Sequence, residues 1–561
     1  IRGIGFRQAD EIAEKLGIEK DSAFRIESGI RFLMGRYAAE GNTYVPFREF
    51  SEEAGRMLDV SSESVRDTAE QLAVDGFVRI ESVEGVQAIF LTAYFEAENN
   101  VARRLFSLSN AAIRPVRSDI GELIRMSESS TGIMLSENQY SAVCSSAENG
   151  VCVITGGPGT GKTTIINTMI DVFEVCGFRV AIAAPTGRAA KRISETSGRQ
   201  AVTIHRLLEY YYSEDSDRMA FGKNEEDQLD SDVVIIDEMS MVDILLMDAL
   251  TEAIAPGTRL ILVGDADQLP SVGAGNVLRD IIASEMIPTV RLTEIFRQAQ
   301  ESMIVVNAHR INRGEYPFCN EKEKDFFMMR RSSEVSVLET IKELCGRRLP
   351  AYYSHCDPLR DIQVLTPVRK GTLGIYNLNR ELQQILNPPS PKKQERELQG
   401  RIFRVGDKVM QIRNNYRLEW KRTDNFLDGE GVYNGDIGFI RAIDLQDQKL
   451  TVVFDDVKYA EYEFGQAEEL ELAYAMTVHK SQGSEFPVVV MPMAHFPPML
   501  ANRNLLYTGV TRGKTAVVLV GSEQMMHAMI DNNRIDERYS GLCGKLRKFL
   551  ILENMEETFA E

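Results

Sequence analysis

"TGGPGTGKTT", residues Thr155–Thr164, lies between the apolar run Val151–Ile154 and a segment, 165–175, that has the periodicity of a helix. The stretch satisfies G-x-x-x-x-G-K-[ST] between a predicted strand and a predicted helix, the context that a phosphate-binding loop requires. In such a loop the backbone N–H groups surround the phosphates, the lysine neutralises the β and γ oxygens, and the hydroxyl holds Mg²⁺. The sequence therefore predicts a nucleotide site on an α/β domain, with Thr163 as a metal ligand. The predicted site residues are Gly157, Pro158, Gly159, Thr160, Gly161, Lys162, Thr163 and Thr164.

A magnesium site also needs a carboxylate at the end of a neighbouring strand, and "VVIIDEMSM" supplies one. Asp237 is predicted to hold the metal and its water shell, and Glu238 to polarise the attacking water. An isolated Asp-Glu pair at a strand end is more often a solvated turn. Together with the loop above, the pair favours nucleotide hydrolysis.

Short β-branched runs alternate with helical segments over most of the chain. The runs "VCVITGG", "RVAIAAPT", "VVIIDEMS" and "RLILVGDA" precede residue 300, and "IQVLTPV", "FPVVVMP" and "TAVVLVGS" follow it. Strands that are apolar throughout are typical of parallel sheets covered by helices on both faces. A strand-rich, glycine-punctuated insert at 401–469 interrupts the second series and predicts a small β-barrel.

The N-terminal region has a different, helical character. Gly3-Ile4-Gly5 before a helix predicts the second half of a helix-hairpin-helix at 1–25, and an ordinary helical hairpin with a tight turn is the alternative. Residues 26–115 predict a winged-helix-like domain, which either binds DNA or braces its neighbour. Because the sequence begins at Ile1 rather than Met, we expect a segment upstream of it.

Composition limits the partners and the compartment. The 561 residues are too many for one core, and no apolar stretch is long enough to cross a bilayer, so we expect several domains and no membrane partner. Seven scattered cysteines without paired C-x-x-C spacing favour reduced thiols in the cytoplasm over disulfides or zinc ligands. The net charge of −19 argues against coating nucleic acid by bulk attraction but allows a local basic channel.

Other classes of phosphate-loop protein fit less well. Small-molecule kinases are shorter and lack a second sheet, and the N-K-x-D segment of GTPases does not follow the loop. Instead "LVGDADQLPS" ends a further strand, with Gln268 able to sense the γ-phosphate. Arg297 in "TEIFRQ" and Arg512 in "YTGVTRGK" lie far along the chain, which suggests cations delivered to the nucleotide from outside the first domain.

The ordered set "LSENQ", "GGPGTGKTT", "AAPTGRAA", "TIHRLL", "IIDEMS", "GDADQLPSVGAG", "TEIFRQ", "TPVRKG", "TVHKSQGSEF" and "LLYTGVTRGK" resembles the motif series of superfamily I DNA helicases. It is most similar to the RecD-like branch, of the kind that acts outside a RecBCD complex. The resemblance implies an α/β fold with two RecA-like domains, at 116–300 and at 301–400 plus 470–561, and an SH3-like barrel at 401–469. It also implies ATP and Mg²⁺ as cofactors, single-stranded and tailed duplex DNA as partners, 5′→3′ movement, and work in repair or recombination.

The resemblance carries residue roles as well. It gives Gln139 a hydrogen bond to adenine, Gln268 a link between the γ-phosphate and the DNA site, and Arg297 and Arg512 the part of transition-state fingers. Gly483 would lie near the γ-phosphate and Glu485 near the ribose. The sequence departs from the family pattern at Ser481, Gly509 and Gly513, small-for-small changes that bear on fine coupling rather than on the chemistry.

Hydroxyls, amides and a few cations in loops at strand ends suit backbone contacts to DNA that must be released in each cycle. Each of them is as readily a loop or cap residue. The predicted contacts are Thr186, Arg188, His205, Thr366, Arg369, Arg413, Asn414, Asn434, Thr477, His479 and Lys480.

A short insert at about 206–232, with three consecutive tyrosines (Tyr210, Tyr211, Tyr212) and a turn-rich middle, predicts a β-hairpin. In the RecD-like family an insert at this position acts as a pin at the fork. The alternative is that the tyrosines pack under the first sheet.

The sequence leaves rival functions to weigh. A DNA-stimulated ATPase that clamps without unwinding shares every motif. An RNA helicase of the same superfamily is a weaker rival, because the Cys/His zinc ligands of the best-known kind are not apparent in the sequence. A nuclease or relaxase subunit would need a carboxylate cluster, or a tyrosine beside a histidine triad, and neither is apparent in a chain with six histidines.

Overall fold

The computed structural model of the chain describes residues 6–15, 17–213, 218–423, 428–533 and 538–560. The predicted Gly3-Ile4-Gly5 turn lies outside the described residues. No helix in this part of the chain has the length and apolar character needed to span a bilayer.

The N-terminal module packs helices against a three-stranded antiparallel sheet of order β1-β3-β2. Its core buries Ile30, Leu33 and Phe50, and the Ser61 hydroxyl begins the last helix by accepting the N–H of Ser64. Three of its four helices, within 23–74, precede a β-ribbon at 78–91, which is the order expected of the predicted winged-helix-like domain. The elements are α1 (Phe6–Lys15), α2 (Ala23–Ala39), β1 (Tyr44–Pro46), α3 (Phe47–Leu58), α4 (Ser62–Val74), β2 (Val78–Val83) and β3 (Val86–Leu91).

The first RecA-like domain, named the first motor domain after the role that the helicase resemblance implies, is built on a six-stranded sheet of order β11-β4-β10-β9-β5-β6, in which every pair is parallel. Its central strands are buried because helices cover both faces. A separate antiparallel hairpin, β7–β8, projects from the connection between β6 and β9. The elements are α5 (Thr92–Asn110), α6 (Ile120–Thr131), α7 (Glu137–Glu148), β4 (Val151–Gly156), α8 (Lys162–Val175), β5 (Val180–Ala184), α9 (Gly187–Ser197), β6 (Val202–Thr203), α10 (Ile204–Leu207), β7 (Tyr210–Ser213), β8 (Arg218–Phe221), β9 (Val233–Ile236), a 3₁₀ turn (Met239–Met241), α11 (Ile244–Glu252), β10 (Arg259–Gly264), α12 (Val277–Ser284) and β11 (Thr289–Leu292).

The chain then enters the first part of the second motor domain. Its helices and strands share one core with the strands that follow the insert. The elements are α13 (Arg297–Gln300), α14 (Met303–Asn312), β12 (Phe326–Arg330), α15 (Glu334–Glu343), a π-helical turn (Leu344–Arg348), α16 (Leu349–Tyr352), β13 (Ile362–Thr366) and α17 (Ile375–Leu386).

The insert is a hairpin followed by a seven-stranded antiparallel sheet of order β18-β17-β21-β20-β19-β16-β22 around its own apolar core. Its elements are β14 (Glu395–Leu398), β15 (Arg401–Arg404), β16 (Lys408–Gln411), β17 (Asn415–Arg422), β18 (Asp428–Val432), β19 (Ile437–Asp444), β20 (Lys449–Phe454), β21 (Lys458–Glu463), a 3₁₀ helix (Phe464–Glu469) and β22 (Leu470–Leu472).

The second parallel sheet closes with strands from beyond the insert, in the order β12-β25-β24-β13-β23. The last helix, α20, packs against α5 on the first motor domain, with the rings of Phe106 and Phe549 5.1 Å apart. The predicted fold class, two parallel α/β sheets with a helical N-terminal region and a β-rich insert, is confirmed. The remaining elements are β23 (Ala475–Thr477), a 3₁₀ turn (His479–Ser481), β24 (Phe486–Met493), α18 (Arg503–Val510), β25 (Gly513–Gly521), α19 (Glu523–Asp531) and α20 (Leu542–Ala560).

Candidate nucleotide and DNA sites

The phosphate loop joins the end of β4 to the start of α8 at Lys162. Gly161 has a φ of +81°, and a Cβ there would lie 2.2 Å from the ring of Phe296, so this position requires glycine. The Lys162 ammonium donates to the carbonyls of Gly156 at 2.6 Å and Gly157 at 3.1 Å. Lys162 therefore lies over the mouth of the loop, beside the N-terminus of α8, where an anion is favoured.

Two carboxylates follow β9, beside the loop. Asp237 accepts the backbone N–H of Glu238 at 2.8 Å, and Glu238 has left-handed backbone with a φ of +55°. Burial, with the neighbouring Glu238 charge, raises the pKa of Asp237 to about 6, and Lys162 acts in the opposite direction. This oxygen donor set, with the Thr163 hydroxyl, suits Mg²⁺.

The loop after β10 links the two motor domains through buried polar groups. Gln268 donates to Asp265 Oδ2 at 3.2 Å, and Tyr507 from α18 donates to the same oxygen at 2.7 Å. Burial raises the pKa of Asp265. The Gln268 Oε1 atom is buried and has no hydrogen-bond partner among the described residues, so it is available to a ligand or its water.

Arg512 comes from the second motor domain and is 3% exposed. Its guanidinium donates to the carbonyl of Thr508 at 3.1 Å and to that of Ser484 at 3.3 Å. These backbone contacts hold the cation at the cleft without neutralising its charge.

Glu485 forms an ion bridge across the cleft. Its carboxylate lies 2.6 Å from Arg192 of α9 and 2.7 Å from Lys514 of β25. Burial raises the pKa of Glu485, but the two cations outweigh burial and hold it below its ordinary value. The first and second motor domains are thus joined by a half-buried carboxylate at the edge of the site.

The two motor domains enclose a cavity of about 700 Å³ between them. It collects most of the predicted nucleotide-site residues from both sheets. Those that line it are Gly157, Pro158, Gly159, Gly161, Lys162, Thr163, Thr164, Asp237, Glu238, Gln268, Glu485 and Arg512.

Three predicted nucleotide residues, Gln139, Thr160 and Gly483, do not line this cavity in the described structure. Gln139 is 2% exposed, donating to the carbonyl of Thr160 at 2.9 Å and accepting the N–H of Ser136, so its amide braces the loop. Gly483 packs against the Thr186 hydroxyl. Arg297 begins α13, but its side chain lies outside the described part. The roles given to these residues stay predictions.

The cavity also contains residues that the sequence did not single out. The N–H of Phe296 donates to the Gly159 carbonyl at 3.2 Å, and its ring packs against the phosphate loop. Arg192 and Met134 also line the cavity. Phe296 stood inside the quoted "TEIFRQ", but an apolar residue beside an arginine carries no chemical signal. Arg192 follows Lys191 on a helix, a pattern typical of a solvated face.

The predicted DNA contacts on the motor sheets differ in exposure. Arg188 donates to Ser484 Oγ across the domain boundary at 2.9 Å, and Arg369 is exposed. Thr366 is fully buried and donates to the carbonyl of Leu373, which gives it a structural role. The hydroxyls of Thr186 and Thr477 accept local backbone N–H groups, Lys480 pairs with Glu471 at 3.1 Å, and His479 is half-buried.

The other predicted DNA contacts gather where the hairpin meets the barrel. The ring of Tyr210, in β7, lies 5.2 Å from His205 and 5.5 Å from Tyr416 of the barrel, which in turn lies 5.7 Å from Tyr433. Burial lowers the pKa of His205. An aromatic cluster of His205, Tyr210, Phe221, Tyr416 and Tyr433 therefore joins the hairpin to the barrel.

Next to this cluster, Asn414 and Asn434 are exposed and joined to each other, since the Asn434 N–H donates to Asn414 Oδ1 at 2.8 Å. Arg413 is also exposed and pairs with Glu468 at 3.2 Å. Proteins that bind single-stranded nucleic acid combine cationic and polar side chains with aromatic rings in this way.

Comparison with known proteins finds helicase-type domains along the chain. Four family models match: the ATP-dependent RecD2 DNA helicase HHH domain at 1–44, the AAA domain at 134–332, the ATP-dependent RecD-like DNA helicase SH3 domain at 378–454 and the UvrD-like helicase C-terminal domain at 472–520.

Relatives cover the chain almost from end to end. The ATP-dependent RecD2 DNA helicase of Deinococcus radiodurans is 31% identical over 559 residues, which are 98% of this chain and 72% of that protein. The RecBCD enzyme subunit RecD of Mycobacterium tuberculosis is 30% identical over 82% of this chain and 80% of its own length. A crystal structure of Bacteroides Pif1 bound to ssDNA is 21% identical, with a TM-score of 0.42, over 70% of this chain and 94% of that one. The chain therefore belongs to the RecD-like family of ATP-dependent DNA helicases.

Proposed function

We propose that this ATP-driven DNA helicase moves 5′→3′ along single-stranded DNA and unwinds tailed duplexes in the cytoplasm, during repair or recombination. The observation that carries the proposal is the shared cavity: the first domain supplies Lys162, Glu238 and Gln268 to it, and the second supplies Glu485 and Arg512. A site built from two domains changes when they move, which couples nucleotide state to domain position. The direction and the pathway rest on family membership.

Within the cavity each group has a proposed part. Lys162 and the loop N–H groups bind the phosphates, and Glu238 polarises the attacking water. Gln268 reports the γ-phosphate to the rest of the protein, and Arg512, with Arg297, stabilises the charge of the transferring phosphoryl group.

The residues beside the loop fit a magnesium ion, because Thr163 and Asp237 offer a hydroxyl and a carboxylate next to Lys162. When bound, Mg²⁺ would neutralise charge on the phosphate oxygens. Binding it would also stabilise the charged form of the buried Asp237. Gln139 is kept as the proposed adenine contact, with Gly483 near the γ-phosphate and Glu485 near the ribose.

Closing on ATP and opening after hydrolysis would move the two motor domains along the strand. We assign the grip to exposed and half-buried residues at the domain edges, chiefly Arg369, His479, Asn414 and Asn434. The hairpin β7–β8 is the proposed pin that keeps the complementary strand from following.

Steady-state ATP hydrolysis with and without single-stranded DNA tests the site. Lys162→Ala, Glu238→Gln and Arg512→Ala should each lower DNA-stimulated turnover by about a hundredfold or more, because each group acts on the transferring phosphoryl group. Lys322→Ala, which alters a fully solvated ammonium, is the matched control and should keep wild-type turnover. Near-normal turnover in all three site variants would overturn the assignment.

Strand displacement on tailed duplexes tests direction and separates the rivals. Unwinding should need a 5′ overhang, and dependence on a 3′ overhang would contradict the proposed polarity. ATPase stimulation without displacement of either tail would favour a clamp. Stronger stimulation by RNA than by DNA would favour an RNA substrate.

A further inference from the structure

The C-terminal segment 538–545 follows the second motor domain in the chain but contacts the N-terminal module and the first motor domain. The backbone of Tyr539 makes hydrogen bonds with the N-terminal module. Its carbonyl accepts the N–H of Thr43 at 2.8 Å, and its N–H donates to Asn42 Oδ1. Gly541 and Lys545 bind the carboxylate of Glu98, which is fully buried in α5. The segment therefore lies in a junction between the N-terminal module and the first motor domain.

Arg538, at the start of this segment, binds one loop of the first motor domain several times. Its guanidinium donates to the Ser271 carbonyl at 2.6 Å, the Gly273 carbonyl at 3.1 Å and the Gly275 carbonyl at 3.0 Å. It also lies 3.4 Å from the Ser271 hydroxyl, which itself donates to Gly273. A planar guanidinium that satisfies several carbonyls fixes a loop more firmly than a single bond would.

The bound loop, 271–275, begins three residues after Gln268. Its near end is held by the second motor domain, since Leu269 donates its N–H to Thr508 and its carbonyl accepts from Gln482 at 2.8 Å. Its far end is held by Arg538. The stretch that follows Gln268 is thus held at Leu269 by the second motor domain and at 271–275 by Arg538, which limits where Gln268 can lie in the nucleotide cavity.

The N-terminal module completes the junction at Gly41. The carbonyl of Gly41 accepts the N–H of Gly275 at 2.9 Å, and a Cβ on Gly41 would lie 2.4 Å from the guanidinium carbon of Arg538. Gly41 has a φ of +94°, in the region that favours glycine. Its lack of a side chain is what allows Arg538 to reach the loop.

We propose that Arg538 is a positioning residue for ATP hydrolysis, which holds the Gln268 loop and ties its placement to the N-terminal module. This inference rests on the proposed role of Gln268 at the γ-phosphate. Arg538 itself acts only through the loop. A displacement of the module relative to the first motor domain would therefore change the position of Gln268 at the γ-phosphate end of the site.

Kinetics of Arg538 variants test the proposal. Arg538→Ala should lower DNA-stimulated kcat by about tenfold while KM for ATP changes little, because a misplaced Gln268 weakens the reaction more than the binding of phosphates. Arg538→Lys should recover part of the loss, since an ammonium still reaches some of the carbonyls. Arg547→Ala is the control: Arg547 makes a single bond to the carbonyl of Ala283 from the same C-terminal region, and its loss should leave kcat unchanged.

A double substitution separates the specific effect of the Arg538 guanidinium from general damage to this junction. Gly41→Ala alone should lower kcat like Arg538→Ala, but it should lower kcat no further in the Arg538→Ala background, where no guanidinium remains to be displaced. The proposal would be overturned by any of three results. Arg538→Ala could have the wild-type kcat, Arg547→Ala could lose as much kcat as Arg538→Ala, or the losses of kcat caused by Gly41→Ala and Arg538→Ala could multiply in the double variant. Absence of DNA-stimulated hydrolysis in the wild type would overturn the proposed function as well, whereas loss in Lys162→Ala with none in Arg538→Ala would overturn only this inference.

Discussion

Removing one hydroxyl tests whether the contact between Tyr507 and Asp265 couples the two motor domains. The Tyr507 hydroxyl donates to Asp265 Oδ2 at 2.7 Å, and both residues are 1% exposed. Tyr507→Phe removes this bond and almost no volume. Asp265 keeps the amide of Gln268 at 3.2 Å, so the loss falls on the bond that crosses the cleft.

A hydrogen bond to a buried carboxylate contributes about 1.5 to 3 kcal/mol, because water cannot replace the missing donor in a closed site. That energy corresponds to about a 10- to 150-fold change in an equilibrium. Since the bond exists only when the domains meet, the closed state loses stability and the open state does not. We expect kcat/KM for ATP in the presence of DNA to fall by a factor in this range.

The control is a second buried tyrosine with the same chemistry but a different location. Tyr474 donates to Asp407 at 2.8 Å, and both are buried where the second motor domain meets the insert rather than across the cleft. Tyr474→Phe should lower thermal stability without lowering kcat/KM. The reasoning fails if kcat/KM of Tyr507→Phe stays within about twofold of wild type, or if Tyr474→Phe lowers it as much.

Further predictions concern stability, unwinding and strand binding. Burial raises the pKa of Asp280 to about 7, above an ordinary value of 3.8, so the folded state binds this proton more tightly than the unfolded state. That contribution to stability is therefore lost as pH rises from the ordinary value through about 7. Asp280→Asn keeps an acceptor for the Ser540 hydroxyl and has no proton to lose. In thermal melts its stability relative to wild type should therefore increase as pH rises through about 7. If the difference in thermal stability between Asp280→Asn and wild type did not change with pH, the folded protein would not hold a proton on Asp280. Replacing Ser213 to Lys223 by a Gly/Ser turn should abolish strand displacement and spare single-strand-stimulated ATPase; normal unwinding would place the pin elsewhere. Replacing Arg413 and Asn434 together by Ala should weaken single-strand binding by about tenfold in a fluorescence titration, and unchanged affinity would make the barrel a spacer.

Sequence patterns predict the sheets well because the relevant information is local. A run such as Val233–Ile236 is apolar at every position, and only a strand covered on both faces buries all of it. Asp237 and Glu238 come directly after this strand. Because parallel strands place their carboxyl ends at the same edge of the sheet, the two carboxylates could be predicted to lie beside the phosphate loop. The phosphate loop and the carboxylate pair could be placed at one site from the strand pattern, whereas the assignment of the distant Arg512 to that site depended on the resemblance to the helicase motif series.

Contacts between domains could not be predicted in the same way. Tyr507 stands in "LLYTGV", where its spacing is that of an ordinary core residue, and its partner Asp265 is 242 positions away. Nothing local distinguishes a tyrosine that packs from one whose hydroxyl reaches another domain. Arg538 is harder still, because a single arginine after α19 has no periodic pattern, and its carbonyl partners on 271–275 are backbone groups that every residue carries.

The chemistry of the domain boundary explains why such contacts belong there. In the proposed mechanism the cleft opens in each cycle. A large apolar surface would oppose that opening, because exposing the surface again would cost about 25 cal/mol for each Å². The boundary instead uses Tyr507 on Asp265, Arg192 on Glu485 and Arg188 on Ser484, polar pairs that water can replace when the domains separate. Each pair contributes about 1.5 to 3 kcal/mol net, because each includes a charged group. The contacts made or lost with one phosphoryl group are of the same size, so they can shift the balance between the closed and open states. Pairs of this kind depend on direction as well as distance, so a small movement of one domain breaks them. The same polar boundary that lets the cleft open therefore makes its closed state sensitive to the nucleotide.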